Sequence, residues 1–152
     1  MAAQSDKLDV VIFGATGYTG KVAVIEAVKL MKEKGVTWGI AGRSQSKLEA
    51  VLKEVSEKTG EDVTKVPIII ADVSDEESLK QMAARARVVA NCVGPYRFYG
   101  EAVVKSCVAS GAHHVDISGE PQYLESMQLE YHDAASDKGV YIVGACGMDS
   151  IP

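Results

Sequence analysis

The sequence predicts a doubly wound α/β domain built on a six-stranded parallel sheet, and three observations predict it. Short, nearly all-apolar β-branched runs alternate with longer stretches of helical period. A glycine-rich turn directly follows the first of those runs. The 152 residues, 47% of them hydrophobic, hold one domain and supply enough apolar surface for its core without disulfides or a structural metal.

The elements follow in order. A strand over residues 8–14 is apolar at consecutive positions, the mark of a strand covered on both faces. A helix over 18–34 places Val24, Val28 and Met31 on one face and Lys29, Lys32 and Glu33 on another. A strand over 37–42 leads to a helix over 46–58, where Ser46 and Glu49 have capping-box spacing. The third pair is a strand over 66–71 and a helix over 75–84, with the same spacing at Ser74 and Glu77. A strand over 88–93 and a helix over 100–110 form the fourth. The fifth joins a strand over 113–117 to a helix over 121–138, with Pro121 in its first turn. A sixth strand covers 140–145. Gly35, Gly60, Gly111 and Gly139 stand just after helices, where a left-handed residue ends them. Right-handed crossovers give the strand order 3-2-1-4-5-6. A flavodoxin-like order also fits the periodicity, and the glycine pattern selects the first.

Charge and cysteine usage narrow the function classes. Lys and Arg total 16 against 21 Asp and Glu, a net charge of −5. That balance argues against nucleic acid or an anionic membrane as the main partner, while allowing a local cationic pocket. Cys92, Cys107 and Cys146 are odd in number and lack C-x-x-C spacing, so they read as reduced thiols of a cytoplasm-like compartment. No run nears the roughly 18 apolar residues of a membrane span, and the N-terminal stretch lacks a signal peptide's apolar region. Linkers, internal repeats and metal-ligand spacings are absent, so residues 1–152 read as one domain.

Gly14-Ala15-Thr16-Gly17-Tyr18-Thr19-Gly20 lies between the first strand and the first helix. A phosphate needs free N–H groups at a helix N-terminus and no side chain barring close approach. Gly14 would make the tight turn, Gly17 would admit a pyrophosphate, and Gly20 would let the helix pack closely. The G-x-x-G-x-x-G spacing is a variant found in reductase-like and epimerase-like Rossmann domains. A merely tight turn is the bland alternative, and the strand–loop–helix setting favours a dinucleotide.

The end of the second strand selects the dinucleotide. Ile40-Ala41-Gly42-Arg43-Ser44 has no acid in reach to accept from a ribose 2′-hydroxyl. Arg43 can fork onto a 2′-phosphate, Ser44 can donate to it, and Lys47 could add charge. The expected cofactor is therefore NADP(H), favoured over NAD(H). A surface arginine and a helix-capping serine are the alternatives for Arg43 and Ser44. Asp72, after the third strand, either contacts the adenine edge or caps the helix from 75.

The reactive end of a ligand on such a sheet lies beyond the strand C-termini, at the switch between its halves. That points to residues 91–100, with Cys92, Val93, Gly94, Pro95 and Tyr96 as candidates for the nicotinamide end. Tyr96, Phe98 and Tyr99 either line that pocket or pack on another domain. Asp116 and Glu120 stand at the same sheet edge, Glu120 placed to favour a helix dipole. No Tyr-x-x-x-Lys pair, G-x-S-x-G elbow or H-E-x-x-H motif occurs. His113, His114 and His132 are scattered and read as structural, and Cys92 as a small buried hydrophobe. The catalytic residue is left unassigned.

The runs 14–20, Ala41-Gly42-Arg43-Ser44, Asn91-Cys92-Val93-Gly94-Pro95-Tyr96, Val115-Asp116-Ile117-Ser118-Gly119-Glu120 and Gly147-Met148-Asp149-Ser150-Ile151-Pro152 occur in that order. Together they resemble the saccharopine-dehydrogenase-like oxidoreductases of animals, over essentially the whole chain, and microbial trans-acting enoyl reductases share the motif set. Met148 departs from the Phe common in relatives. The resemblance implies a Rossmann domain followed by a substrate and dimerisation domain absent from this chain. It also implies a nicotinamide cofactor, homodimers, and, in the animal branch, association with lipid droplets or membranes. The expected function is the NADP(H)-binding domain of an oxidoreductase acting on an unidentified small molecule, the chain alone being inactive. A non-catalytic NADP(H)-sensing or scaffold module is the alternative.

Overall fold

The computed structural model describes residues 6–147, so the expectations on Met148 to Pro152 lie outside the described residues. The chain runs β1 (Leu8–Phe13), α1 (Tyr18–Lys34), β2 (Trp38–Gly42), α2 (Gln45–Thr59), β3 (Ile68–Ile70), α3 (Glu76–Ala84), β4 (Ala86–Asn91), α4 (Tyr96–Ser110), β5 (His113–Asp116), α5 (Pro121–Lys138) and β6 (Ile142–Val143). The six strands form one sheet in the order β3-β2-β1-β4-β5-β6, and every pairing is parallel. This is the Rossmann order expected from the sequence.

Strand alternation sorts the side chains into two layers. Ile12 and Ile40 point to one face, where Val24 and Val28 of α1 and Leu48, Leu52 and Val55 of α2 cover them. Val11, Phe13 and Val89 point to the other, under Leu79 and Met82 of α3 and Val103 and Cys107 of α4. Helix α5 packs on α4 through Val104, Val108, Tyr123 and Met127. Each large apolar side chain taken fully from water contributes roughly 1.5–3 kcal/mol, so these layers carry the fold.

Helix ends follow local chemistry. Gly35, Gly60, Gly111 and Gly139 all cap helices with φ between 65° and 74°, as expected. The starts differ from expectation. Ser44, not Ser46, caps α2 by accepting from the Lys47 N–H, and Asp75, not Ser74, caps α3 by accepting from Ser78 N–H. Helix α4 begins at Tyr96, not Gly100. Gly100 is a helical residue whose missing side chain makes room for the Tyr123 ring. Strand β4 spans 86–91, two residues earlier than expected, because only Arg85, the C-cap of α3, separates it from the helix. Strands β3 and β6 are shorter than expected, each lying at a sheet edge with a single neighbour.

The chain leaves β1 toward β2 and leaves β4 toward β5, so their C-terminal ends diverge. The Cys92 N–H donates to the Phe13 carbonyl (2.9 Å), holding the two loops together at the root of the crevice between them. Ligands bind at such a switch point.

Candidate functional site

The loop after β1 has three glycines with three different physical reasons. Gly14 has φ +85°, and a Cβ there would lie 2.7 Å from Val93 Cγ2 and 3.1 Å from the Cys92 carbonyl carbon. Position 14 therefore needs glycine both for its backbone and for the close approach of the turn after β4. A Cβ on Gly20 would overlap the Gly14 carbonyl oxygen, so α1 can sit this close to the loop only without one. Gly17 is different. Its φ of −73° and ψ of 167° suit any residue, and a Cβ would touch only the Gly14 oxygen, at 3.4 Å.

Gly17 is also the N-cap of α1, and no side chain caps that helix. Its first turn holds no acid, so the positive end of the helix dipole is left uncompensated by carboxylates of that turn. The fold leaves a bare cradle before an uncapped helix N-terminus, the shape and polarity a pyrophosphate fits. Tyr18, at the helix start, is 90% exposed.

At the end of β2, Arg43 is exposed. No acid adjoins it in its own segment, but pairing of β2 with β3 brings Asp72 near enough for its charge to interact with Arg43. Asp72 does not cap α3. Its Oδ1 accepts from the N–H (2.9 Å) and hydroxyl (2.7 Å) of Ser74, and these bonds, with a lesser contribution from Arg43, hold its carboxyl below the usual range. Ser44 does cap α2, at 3.4 Å from the Lys47 N–H. The same hydroxyl lies 3.3 Å from the Ser46 Oγ, and with Ser46 donating, its own proton is able to donate outward.

The turn after β4 contains a cis Gly94–Pro95 peptide. Its aromatics do not form one cluster, because α4 starts at Tyr96. Tyr96 is buried, its hydroxyl donates to the Asn91 carbonyl (2.7 Å), and its ring packs against Tyr123. Only its backbone can face a ligand in the crevice. Phe98 is 67% exposed, with the Arg97 guanidinium 4.7 Å above its ring and Tyr99 edge-on to it. Cys92 packs against the α1/α2 layer. Burial, and secondarily the charge of Asp116, push its thiol up, which keeps it protonated at neutral pH.

Behind this turn lies a row of buried polar residues that sequence reasoning did not assemble. Sheet register places Asn91 beside Asp116 and His114 beside Val89. The Asn91 side chain lies 3.4 Å from His114 Nε2, and His114 Nδ1 lies 3.9 Å from Asp116 Oδ2. Asp116 accepts from the Tyr123 hydroxyl (2.9 Å), Ser118 N–H (2.9 Å) and Ala145 N–H (3.2 Å). Burial pushes His114 well below its ordinary pKa and Asp116 only partly opposes this, so the ring is neutral at pH 7. His113 accepts from Tyr141 N–H and stacks on its ring, a structural role as expected.

Among the described residues, no cluster of His, Cys, Asp and Glu is arranged to hold a metal ion. No helix among them is long and apolar enough to cross a membrane.

The profile of the family described as "Saccharopine dehydrogenase NADP binding domain" matches residues 10–143. A lipid droplet localized protein of Caenorhabditis elegans is 53% identical over 96% of this chain and 34% of its own length. A human saccharopine dehydrogenase-like oxidoreductase is 48% identical over 100% of this chain and 37% of its own. The chain thus spans about a third of the length of these curated relatives. Among solved structures, the apo saccharopine dehydrogenase of Saccharomyces cerevisiae superposes with a TM-score of 0.70 at 20% identity, over 93% of this chain and 28% of that one. That likeness is one of fold.

Proposed function

Because the chain belongs to the saccharopine dehydrogenase NADP-binding domain family, we propose that it holds NADP(H) across the crevice between the β1 and β4 loops, for an oxidoreductase. The pyrophosphate lies at the loop Gly14, Ala15, Thr16, Gly17, Tyr18, Thr19 and Gly20, against the first turn of α1. Arg43 and Ser44 hold the 2′-phosphate, and Asp72 steadies Arg43 beside the adenine. Cys92, Val93, Gly94, Pro95 and the backbone of Tyr96 border the nicotinamide end, with the Cys92 thiol neutral. When bound, the nicotinamide supplies the hydride chemistry.

One observation carries this reading: Gly17 lacks a side chain that the fold has room for, at an uncapped helix N-terminus. The remaining assignments concern the whole protein. A further domain, as the resemblance implies, completes the substrate site and carries the dimer contacts. Association with lipid droplets is proposed from the name of the C. elegans relative. The substrate is a small molecule reached from the crevice.

Calorimetric titration of this chain with NADPH and NADH tests the reading. NADPH should bind more tightly than NADH. Gly17→Ala should abolish binding while changing fold stability by no more than about 1 kcal/mol, since helix-cap loss and reduced unfolded-state freedom nearly offset. Equal affinity for the two dinucleotides, or undiminished binding by Gly17→Ala, would overturn it.

A further inference from the structure

We propose that Asn91, His114 and Asp116 form a positioning assembly that fixes the backbone of the 92–96 turn, and with it the nicotinamide end of the site. The inference rests on the reading that this turn borders the cofactor.

Asn91 fastens both ends of the turn. Its Oδ1 accepts from the Val93 N–H (3.0 Å), and its backbone carbonyl accepts from the Tyr96 hydroxyl (2.7 Å). With Oδ1 turned to Val93, the amide nitrogen faces His114 Nε2, which must then be the acceptor. In a neutral ring the proton is therefore on Nδ1, on the side of Asp116 Oδ2. Asp116 is held from three directions, by α5 through Tyr123, by its own loop through Ser118, and by the segment after β6 through Ala145. The orientation of one amide is thus set through an imidazole tautomer by a carboxylate on the neighbouring strand.

The sheet shows that stability alone does not call for this row. Along one line of the same face, Phe13 on β1 is followed by Asn91 on β4 and Asp116 on β5; along the next, Val11 and Val89 are followed by His114. The layer is aliphatic and aromatic until it reaches the strands flanking the turn, and there it becomes polar. Asn91, His114 and Asp116 are 1%, 0% and 3% exposed, and His114 Nδ1 has no partner within hydrogen-bond distance. Burying such groups costs more than continuing the apolar layer, and buried polar rows of this kind can specify geometry. The geometry within reach of this one is the path of the 92–96 turn.

The assembly is tested by titrating the chain with NADPH and with adenosine 2′,5′-bisphosphate, which lacks the nicotinamide half. Asn91→Ala removes the acceptor for Val93 N–H and should weaken NADPH by about tenfold. The bisphosphate, held at Arg43 and Ser44, should bind as to the unaltered chain. Asn91→Asp keeps the acceptor and should restore NADPH affinity. Asp116→Asn removes no atom of the two hydrogen bonds between Asn91 and the turn and preserves the Oδ1 acceptor for Ser118 and Ala145, while the Tyr123 hydroxyl loses its Oδ2 acceptor. It should reproduce the selective loss, because an amide N–H facing His114 Nδ1 reverses the tautomer and turns the Asn91 amide over. Should Asn91→Ala fail to fold, Asp116→Asn carries the test. If the unaltered chain binds neither ligand, the functional reading fails. If it binds NADPH and the variants bind both ligands normally, or lose both equally, the positioning assembly is overturned.

Discussion

The carboxylate of Glu120 accepts a 3.0 Å hydrogen bond from the backbone N–H of Arg97, joining the N-cap of α5 to the first turn of α4. Glu120 was expected to serve the dipole of the helix it precedes. It serves the neighbouring one, whose own N-cap is Pro95 and offers no side-chain acceptor. Glu120→Ala should cost about 1 kcal/mol in urea denaturation, the usual value of a lost cap. Glu120→Gln, which keeps an acceptor but loses the charge–dipole attraction, should fall between. Three superimposable urea curves would refute the assignment.

Arg43 should decide the choice of dinucleotide. A charge-assisted contact to a phosphate is worth about 1.5–3 kcal/mol, roughly 10- to 150-fold in affinity. Arg43→Ala should therefore remove most of the preference for NADPH and leave NADH binding nearly unchanged. Competitive titration of the two dinucleotides on the altered chain measures this. A preference that survives would shift the assignment to Ser44 and Lys47.

His114 should make the fold acid-sensitive above the carboxylate range. Its ordinary pKa is 6.5, and burial lowers it in the folded chain. Below pH 6.5 the unfolded chain binds a proton that the folded chain refuses. The stability from neutral His114 is therefore fully present above that pH and is lost as pH falls toward the folded value. The slope contributed is at most about 1.4 kcal/mol per pH unit. His114→Gln should be less stable at pH 7 yet show a flatter pH profile between 6.5 and 5. Chemical denaturation across that window gives the comparison, and parallel profiles would exclude the effect.

What the sequence made legible was local or handed. The four left-handed glycine caps are written at single positions, and crossover handedness orders the strands. Helix α4 starts four residues before position 100, directly after the cis Gly94–Pro95 peptide, and runs through Gly100. Gly100 is explained only by the Tyr123 ring, 23 residues away. The cap of α2 is ambiguous in sequence, since Ser44 and Ser46 are both competent and two residues apart. In the sequence Asp116 is an acid at a sheet edge, His114 a structural histidine and Asn91 one residue of a motif, with nothing to connect the three. Register between β4 and β5 joins them, and no periodicity encodes register between two particular parallel strands. The same pairing logic brought Asp72 to Arg43 from the next strand.

Among the loop glycines, position 17 is the one where the chain's own atoms place almost no demand on residue size. Substitutions at 14 and 20 confound the loss of a ligand with the loss of the scaffold. A methyl at 17 meets only the Gly14 oxygen, at 3.4 Å, so Gly17→Ala probes the clearance left for the cofactor without disturbing the packing of the loop. One residue thus separates, more cleanly than its neighbours at 14 and 20, what the fold requires from what an occupant requires.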